Sequence, residues 1–440
     1  MYLPEQVHTV IDRLCGAGHE AFAVGGCVRD ALLGRTPGDY DVTTSARPEE
    51  IEAVFAREKL IETGLRHGTV TVLLGGMPIE VTTYRVDGEY ADHRHPDCVR
   101  FTRDLTEDLA RRDFTINALA FSPERGIIDP FGGREDLAAG RIRCVGRADA
   151  RFREDALRIL RALRFSSVLG FPLDGETARA ALASRELLRA VSAERVYAEL
   201  VKLLCGPNVR EVVCRYVDIL GVVIPELLPM KGFDQRNPHH VYDVLEHSAA
   251  ACAAVPSEPV LRLAALLHDI GKPECFTLGE DGVGHFCGHA AISASRAEEI
   301  LTRLKSDRAT RERVVTLVRE HDLIIPAQER AVKRALRRLG KEDFFALLAL
   351  KRADNLAQSP AYADRQRTYD ALEELARCVL EEEACLSLRD LAVSGQDLIA
   401  LGMEPGPALG AALAAMLDAV IDGEVPNGKD ALLAWYRERA

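Results

Sequence analysis

Gly38-Asp39-Tyr40-Asp41-Val42 sets two carboxylates two residues apart. On a strand, residues i and i+2 share a face, so Asp39 and Asp41 would project together. Such a pair suits divalent metal. Two Mg²⁺ ions about 3.5–4 Å apart activate an attacking hydroxyl and stabilise a leaving pyrophosphate, which is the chemistry of nucleotidyl transfer. A lone D-x-D is also a common turn. Glu80, in Ile79-Glu80-Val81-Thr82 on a later strand-like run, either completes the acid set or is a surface acid on an edge strand. Upstream, Ala23-Val24-Gly25-Gly26-Cys27-Val28-Arg29-Asp30 puts two glycines between a strand-like run and a helix. Bare amides there can hold a triphosphate, or the glycines merely join the two elements.

A second constellation is rich in imidazole. Seven of the twelve histidines fall between His239 and His321. Leu266-Leu267-His268-Asp269-Ile270-Gly271-Lys272 ends an apolar helix with an adjacent His-Asp pair, preceded by His247 and followed by His289, His321-Asp322 and Asp354. Imidazole and carboxylate together suit a borderline metal that activates water for phosphoester hydrolysis, and Lys272 is placed to meet a phosphate. A single buried histidine is ordinarily a satisfied core residue or a cap, so the reading rests on the cluster. His239, His240, His285 and His289 are candidates for outer contacts or substrate contacts.

The elements that must position these residues divide the chain unevenly. Short β-like runs (Ala21–Val24, Val70–Leu74, Ile79–Thr83) alternate with helical segments in the first third. After about Asp149 the strand signals stop. Glu154–Leu169, Ala193–Leu204, Val241–Ala254, Val260–His268, Ala290–Leu304, Arg311–His321 and Asp364–Leu380 repeat apolar residues at helical spacing. Breaks are expected at Gly140–Gly146, Pro225–Pro238 and Ser359-Pro360.

The 440 residues, 47% hydrophobic, suffice for about three or four domains. Apolar runs shorter than about 18 residues argue against a membrane span, and the N-terminus lacks a signal-peptide pattern, so a cytoplasmic location is expected. Eleven scattered cysteines without C-x-x-C fit reduced thiols. A net charge of −12 argues against non-specific coating of nucleic acid. Eight arginines nonetheless lie between Arg141 and Arg164, and Arg330–Arg338 forms a second basic run, which is either an RNA contact or a solvated helix face. Trp435, near the end of a helix-like segment, reads as a packing residue.

G-G-x-V-R-D followed by D-Y-D resembles the head of class II tRNA nucleotidyltransferases and bacterial poly(A) polymerases, within the DNA polymerase beta superfamily. Further motifs agree in order: Arg111-Arg112-Asp113-Phe114-Thr115-Ile116-Asn117-Ala118 with the R-R-D-F-T-I-N-A element, and Asp129-Pro130-Phe131-Gly132-Gly133 with the hinge element. Glu154-Asp155-Ala156-Leu157-Arg158 is similar to the E-D-x-x-R element, and Ala193–Leu200 to a later neck helix. The resemblance implies an α+β fold: a polymerase-beta-like nucleotidyltransferase head of mixed sheet and helices (1–145), then an all-α neck (146–228), an HD-type body (229–360) and a helical tail (361–440). It implies Asp39 and Asp41 as catalytic metal ligands for Mg²⁺. Gly25, Gly26, Arg29, Arg112, Asp113, Asn117, Asp155, Arg158, Arg161 and Arg164 would bind nucleotide. Asp155 and Arg158, at i and i+3 of one helix, would read the base by accepting from the amino group of adenine or cytosine and donating to ring acceptors. The alternative is an intrahelical ion pair. Thr83–Pro96 resembles the loop used for the final A.

The pattern H…HD…D is similar to the HD phosphohydrolase domain, whose ligands would be His247, His268, Asp269 and Asp354 around a divalent metal. The expected function is addition of CCA to tRNA from CTP and ATP without a template, with a second phosphohydrolase site. No membrane or protein partner is implied. A-adding enzymes and poly(A) polymerases share the head motifs, although an acidic chain suits general RNA ends less well. From another class, an HD phosphohydrolase with an RNA-binding head is possible if Asp39, Asp41, Arg112, Asp155 and Arg158 have lost their chemistry.

Overall fold

The computed structural model describes residues 1–64, 68–88, 99–382 and 385–439. Backbone contacts divide the chain into two units, Met1–Leu228 and Pro229–Ala440.

The first unit is built on a seven-stranded mixed sheet. Its strands are β1 (Ala21–Val24), β2 (Asp41–Thr44), β3 (Lys59–Gly64), β4 (Thr69–Leu74) and β5 (Met77–Thr83). A separate hairpin, β6 (Arg85–Asp87) and β7 (Val99–Phe101), comes next, and β8 (Ala120–Ser122) and β9 (Gly126–Ile128) complete the main sheet. The order is β3-β4-β5-β2-β1-β8-β9, with β2 and β5 parallel and the other pairs antiparallel. Alternation explains β5: Ile79, Val81 and Thr83 are buried while Pro78 and Glu80 face out. The central β1 is buried at every residue. The helix Glu5–Gly16 covers it with Val7, Val10, Ile11 and Leu14, one apolar stripe at helical spacing. Strands β8 and β9 are too short to carry a periodic signal, which is why the sequence reading passed over them. Of the Thr83–Pro96 segment, residues 89–96 lie outside the described residues.

The sheet leads into helices, and one helical expectation is corrected. Glu154–Leu169 is two elements: Ala148–Glu154 ends with Asp155 in extended conformation (φ −138, ψ 104), and Leu157–Leu169 starts anew. Asp155 Oδ1 accepts the Leu157 amide at 3.1 Å, which offers the backbone an alternative to helix.

In the second unit the helices Val244–Ala254, Pro259–Leu267, His289–Arg303, Arg308–Glu320 and Lys341–Leu356 pack together. Their apolar faces bury Val244, Leu263, Leu266, Ile300, Leu317 and Leu347. A two-residue pairing of Thr277–Leu278 with Gly284–His285 departs from the expected loss of strand after Asp149. The basic helix Glu329–Leu339 spends its charge internally: Arg330 and Arg334 reach Asp422 at 2.6 and 2.7 Å, Arg337 pairs with Asp418, and Arg338 pairs with Glu320. Trp435 packs on a C-terminal cluster around Leu398, Met416 and Leu432. Among the described residues, no helix is long and apolar enough to cross a membrane.

Candidate active site and candidate metal centre

Strand pairing gathers the acids of the first unit. Val24 lies opposite Asp41 on one side of β2, and Glu80 lies opposite Asp41 on the other. Glu80 is therefore on an interior strand, not an edge. Asp39 precedes β2, so only Asp41 is a strand residue. The Asp41 carboxyl is pushed up to about 6, first by burial, then by Asp39 and Glu80, against the pull of Arg112. Mutually repelling carboxylates of this kind are what a divalent cation neutralises, so the donor set fits such an ion.

Gly25 and Gly26 turn β1 into the helix Gly26–Leu32. Gly25 has φ +78, and a Cβ there would stand 3.0 Å from Arg112 Nη1. Glycine suits this positive φ, and any side chain there would make Arg112 give way. A cleft of about 530 Å³ opens beside them. Gly25, Gly26, Arg29, Asp39, Asp41, Arg112, Asp113 and Asn117 line it from the sheet side. Asp155, Arg158, Arg161 and Arg164 line it from the helices that follow. Arg111, Leu157, Phe165 and Arg195 also line it and were not among the expected site residues. Arg111 and Arg195 lie inside quoted motifs, so the available signal was their position. Phe165 had none beyond an apolar helix position.

Hydrogen bonds fix this wall. Asp113 takes Arg161 Nε and Nη2 on Oδ2 at 2.8 and 2.7 Å, and Asn117 Nδ2 and the Phe114 amide on Oδ1 at 3.1 and 2.8 Å. Burial raises the Asp113 pKa, yet Arg161, Asn117 and Arg158 outweigh it and bring the carboxyl to about 2. Arg29 donates to Asn117 Oδ1 at 2.7 Å, and Arg164 lies 3.0 Å from Glu199. The guanidinium groups of Arg29, Arg161 and Arg164 stand 4.3–5.6 Å from the Phe165 ring centre. Asp155 and Arg158 do not share a helix face as expected. Asp155 Oδ2 accepts from Arg195 at 2.8 Å, whereas Arg158 donates to Glu154 at 2.6 Å and to the carbonyl of Arg111 at 3.0 Å.

Residues 21–143 match the poly A polymerase head domain, 170–229 the RNA and SrmB-binding site of polymerase A, and 280–436 the tRNA nucleotidyltransferase domain 2. The CCA-adding enzyme of Geobacillus thermodenitrificans is 37% identical over 99% of this chain and 97% of its own length. That of Lactobacillus delbrueckii subsp. bulgaricus is 36% identical over 97% and 96%. The chain belongs to the CCA-adding enzyme family. It is thus a nucleotidyltransferase. The Bacillus stearothermophilus CCA-adding enzyme, solved in complex with CTP, superimposes with a TM-score of 0.76 at 33% identity, over 100% of this chain and 98% of that one.

CCA-adding chemistry leaves the histidines of the second unit unexplained. His247 lies within the helix Val244–Ala254, His268 caps Pro259–Leu267, and His289 opens His289–Arg303. His321 caps Arg308–Glu320, and Asp354 lies near the end of Lys341–Leu356. His247 and His268 approach Asp354 Oδ1 at 2.9 and 3.7 Å, and both lie 3.3 Å from Asp269 Oδ2. His247, His268 and Asp354 form one group with metal-ligand spacing, and Asp269, His289 and His321 form another. His289 is therefore in the cluster rather than outside it. A cleft of about 370 Å³ beside it is lined by His240, Lys272, His285 and Gln358. Lys272 Nζ lies 2.7 Å from Asp269 and 2.9 Å from Gln235. His239 stacks on Tyr362 instead.

Proposed function

We propose that this chain adds CCA to the 3′ end of tRNA from CTP and ATP, choosing the nucleotide without a nucleic-acid template. The observation that carries the reading is a single cleft with paired acids on the sheet side and guanidinium and carboxylate groups on the helical side, in a chain related over nearly its whole length to CCA-adding enzymes. Residues 1–145 act as nucleotidyltransferase head, 146–228 as neck, 229–360 as an HD-type domain and 361–440 as tail.

Asp39 and Asp41 would hold Mg²⁺, which supplies hydroxyl activation and charge neutralisation when bound. The protein's own residues do the rest. Gly25, Gly26, Arg29 and Arg112 receive the triphosphate, where glycine admits close backbone approach and guanidinium matches phosphate oxygens. Asp113 and Asn117 fix Arg161 and Arg29 in advance, so little rotamer freedom is lost on binding. Asp155 accepts from the exocyclic amino group of cytosine or adenine, while Arg158, Arg161 and Arg164 supply donors. Guanine and uracil present the wrong pattern.

The test uses purified protein, Mg²⁺ and tRNAs ending before CCA, after C and after CC, with CTP and ATP supplied separately and together. Ordered addition that stops at CCA is the expected result. Addition of A alone to the CC end would make the chain an A-adding enzyme, runaway A tails would make it a poly(A) polymerase, and no addition would overturn the reading.

The histidine cluster supports a second activity in the same chain, a metal-dependent phosphohydrolase acting on phosphomonoesters or 2′,3′-cyclic phosphates. His247, His268, Asp269 and Asp354 would hold its metal, whose imidazole and carboxylate donors suit a borderline ion.

A further inference from the structure

The short pairing in the second unit sets Thr277 opposite His285 and Leu278 opposite Gly284. One residue outward, Phe276 and Phe286 still face each other, with ring centres 5.5 Å apart. One residue further, the same register puts Cys275 opposite Cys287. The two segments stay together beyond that point. The Gly271 amide donates to Ser293 Oγ at 3.0 Å, and a Cβ at Gly271 would stand 2.8 Å from the Ser293 amide nitrogen. Lys272 Nζ also lies 5.1 Å from the centre of the Phe286 ring. Close contacts between the two segments thus bracket the cysteines on both sides.

Opposed residues of antiparallel segments have Cα atoms about 4.5–5.5 Å apart, inside the range of about 4.4–6.8 Å that a disulfide spans. Both thiols are free, with Cys287 exposed and Cys275 half-buried. Cys275 closes the helix Lys272–Cys275, where its Sγ lies 3.5 Å from the Gly271 carbonyl oxygen and 3.7 Å from that of Lys272. A thiol is a weak donor, so little holds it in that rotamer. Burial raises the Cys275 thiol above its ordinary value and Cys287 adds to the rise, which puts the two sulfurs within electrostatic reach of one another.

We infer that Cys275 and Cys287 form a reversible oxidation site, closed to a disulfide by exchange with a small oxidised disulfide. The inference stands apart from the hydrolase reading and from whatever the histidine centre holds. Cys287, the exposed thiol, attacks one sulfur of the incoming disulfide as thiolate, so that a mixed disulfide forms and one small thiolate leaves. The Cys275 thiolate then attacks Cys287 Sγ and expels the second. Two protein thiols lose two protons and two electrons, and the small disulfide takes them up as two thiols. Such a bond is transient in a reducing compartment, as redox-sensing disulfides are. It closes the foot of a hairpin that walls a cleft, since Gly284, His285, Phe286 and Cys287 all line the opening of about 370 Å³ beside the histidines. Oxidation turns the Cys287 sulfur toward the helix Lys272–Cys275 and fixes that wall.

The test equilibrates the full-length protein with oxidised glutathione, blocks the remaining thiols with N-ethylmaleimide under denaturing conditions and maps the peptides by mass spectrometry. The expected result is a peptide pair linked through Cys275 and Cys287 and released by dithiothreitol, with glutathione retained on Cys287 in Cys275→Ser. Hydrogen exchange at the amides of Gly279, Gly282 and Gly284 should slow by about threefold or more in the linked protein. A glutathione adduct persisting on Cys287 of the parent, a bond from either residue to another cysteine, or both thiols left reduced would overturn the site. Unchanged exchange in the linked protein would overturn the fixing of the cleft wall. The parent's linkage decides the matter even if the serine variant fails to fold, which circular dichroism would reveal.

Discussion

Asp113 stays ionised against its own burial. Four hydrogen bonds and the charges of Arg161 and Arg158 hold its carboxyl at about 2, against about 3.9 in an unfolded chain. A depressed carboxylate pKa stabilises the folded form above the unfolded value, and that contribution disappears as pH falls through the folded one. The difference is worth about 2.6 kcal/mol. Asp113→Asn is therefore expected to unfold more easily than wild type at pH 6 by about that amount, with the gap closing between about pH 4 and pH 2. Urea unfolding across that range measures it. A gap independent of pH would mean that the amide change acts through packing rather than through the ion pair.

The turn bearing Asp113 and Asn117 is held from behind by the hinge element. Asp129 caps the helix Gly133–Ala138 by accepting the amides of Gly133 and Arg134 at 2.7 and 2.9 Å. Thr115 Oγ1 donates to Asp136 of that helix at 2.5 Å. A Cβ at Gly133 would meet the Thr115 carbonyl carbon at 2.8 Å and overlap its oxygen, so backbone must move. Gly133→Ala is expected to cost about 1–3 kcal/mol of stability and to raise KM for CTP by shifting Asn117 and Asp113. Unchanged stability with unchanged KM would show that the hinge does not set the turn. Much at this scale was legible beforehand, because β1, β5 and the helix Ala193–Leu204 carry their period in a few residues. Asp155 was misread for a physical reason. Apolar spacing runs on through Glu154–Leu169, while the helix break depends on one carboxylate capping Leu157 and pairing with Arg195, forty residues away. The role of His289 and His321 was hidden for the same reason: their partner Asp269 comes from another helix end.

Each proposed site is complete within one of the two units. The acids, arginines and glycines of the nucleotide cleft come from Met1–Leu228, and the histidine centre comes from Pro229–Ala440. No side chain is shared, so substitutions should separate the activities cleanly. Asp39→Ala is expected to reduce nucleotide addition at least about a thousandfold, since removal of a ligand to a catalytic ion withdraws several kcal/mol of transition-state stabilisation. Hydrolysis of a 2′,3′-cyclic phosphate by the Mn²⁺-loaded protein should remain within about twofold of wild type, because Asp39 is none of the residues of the histidine centre. His268→Ala should do the reverse. Both reactions are followed on one preparation of each variant, by tRNA 3′-end length and by phosphate release. If Asp39→Ala abolished both while the fold persisted, the two centres would form one machine. If neither wild type nor Asp39→Ala hydrolysed any phosphoester with any divalent metal, the histidine centre would be left with metal binding as its only role.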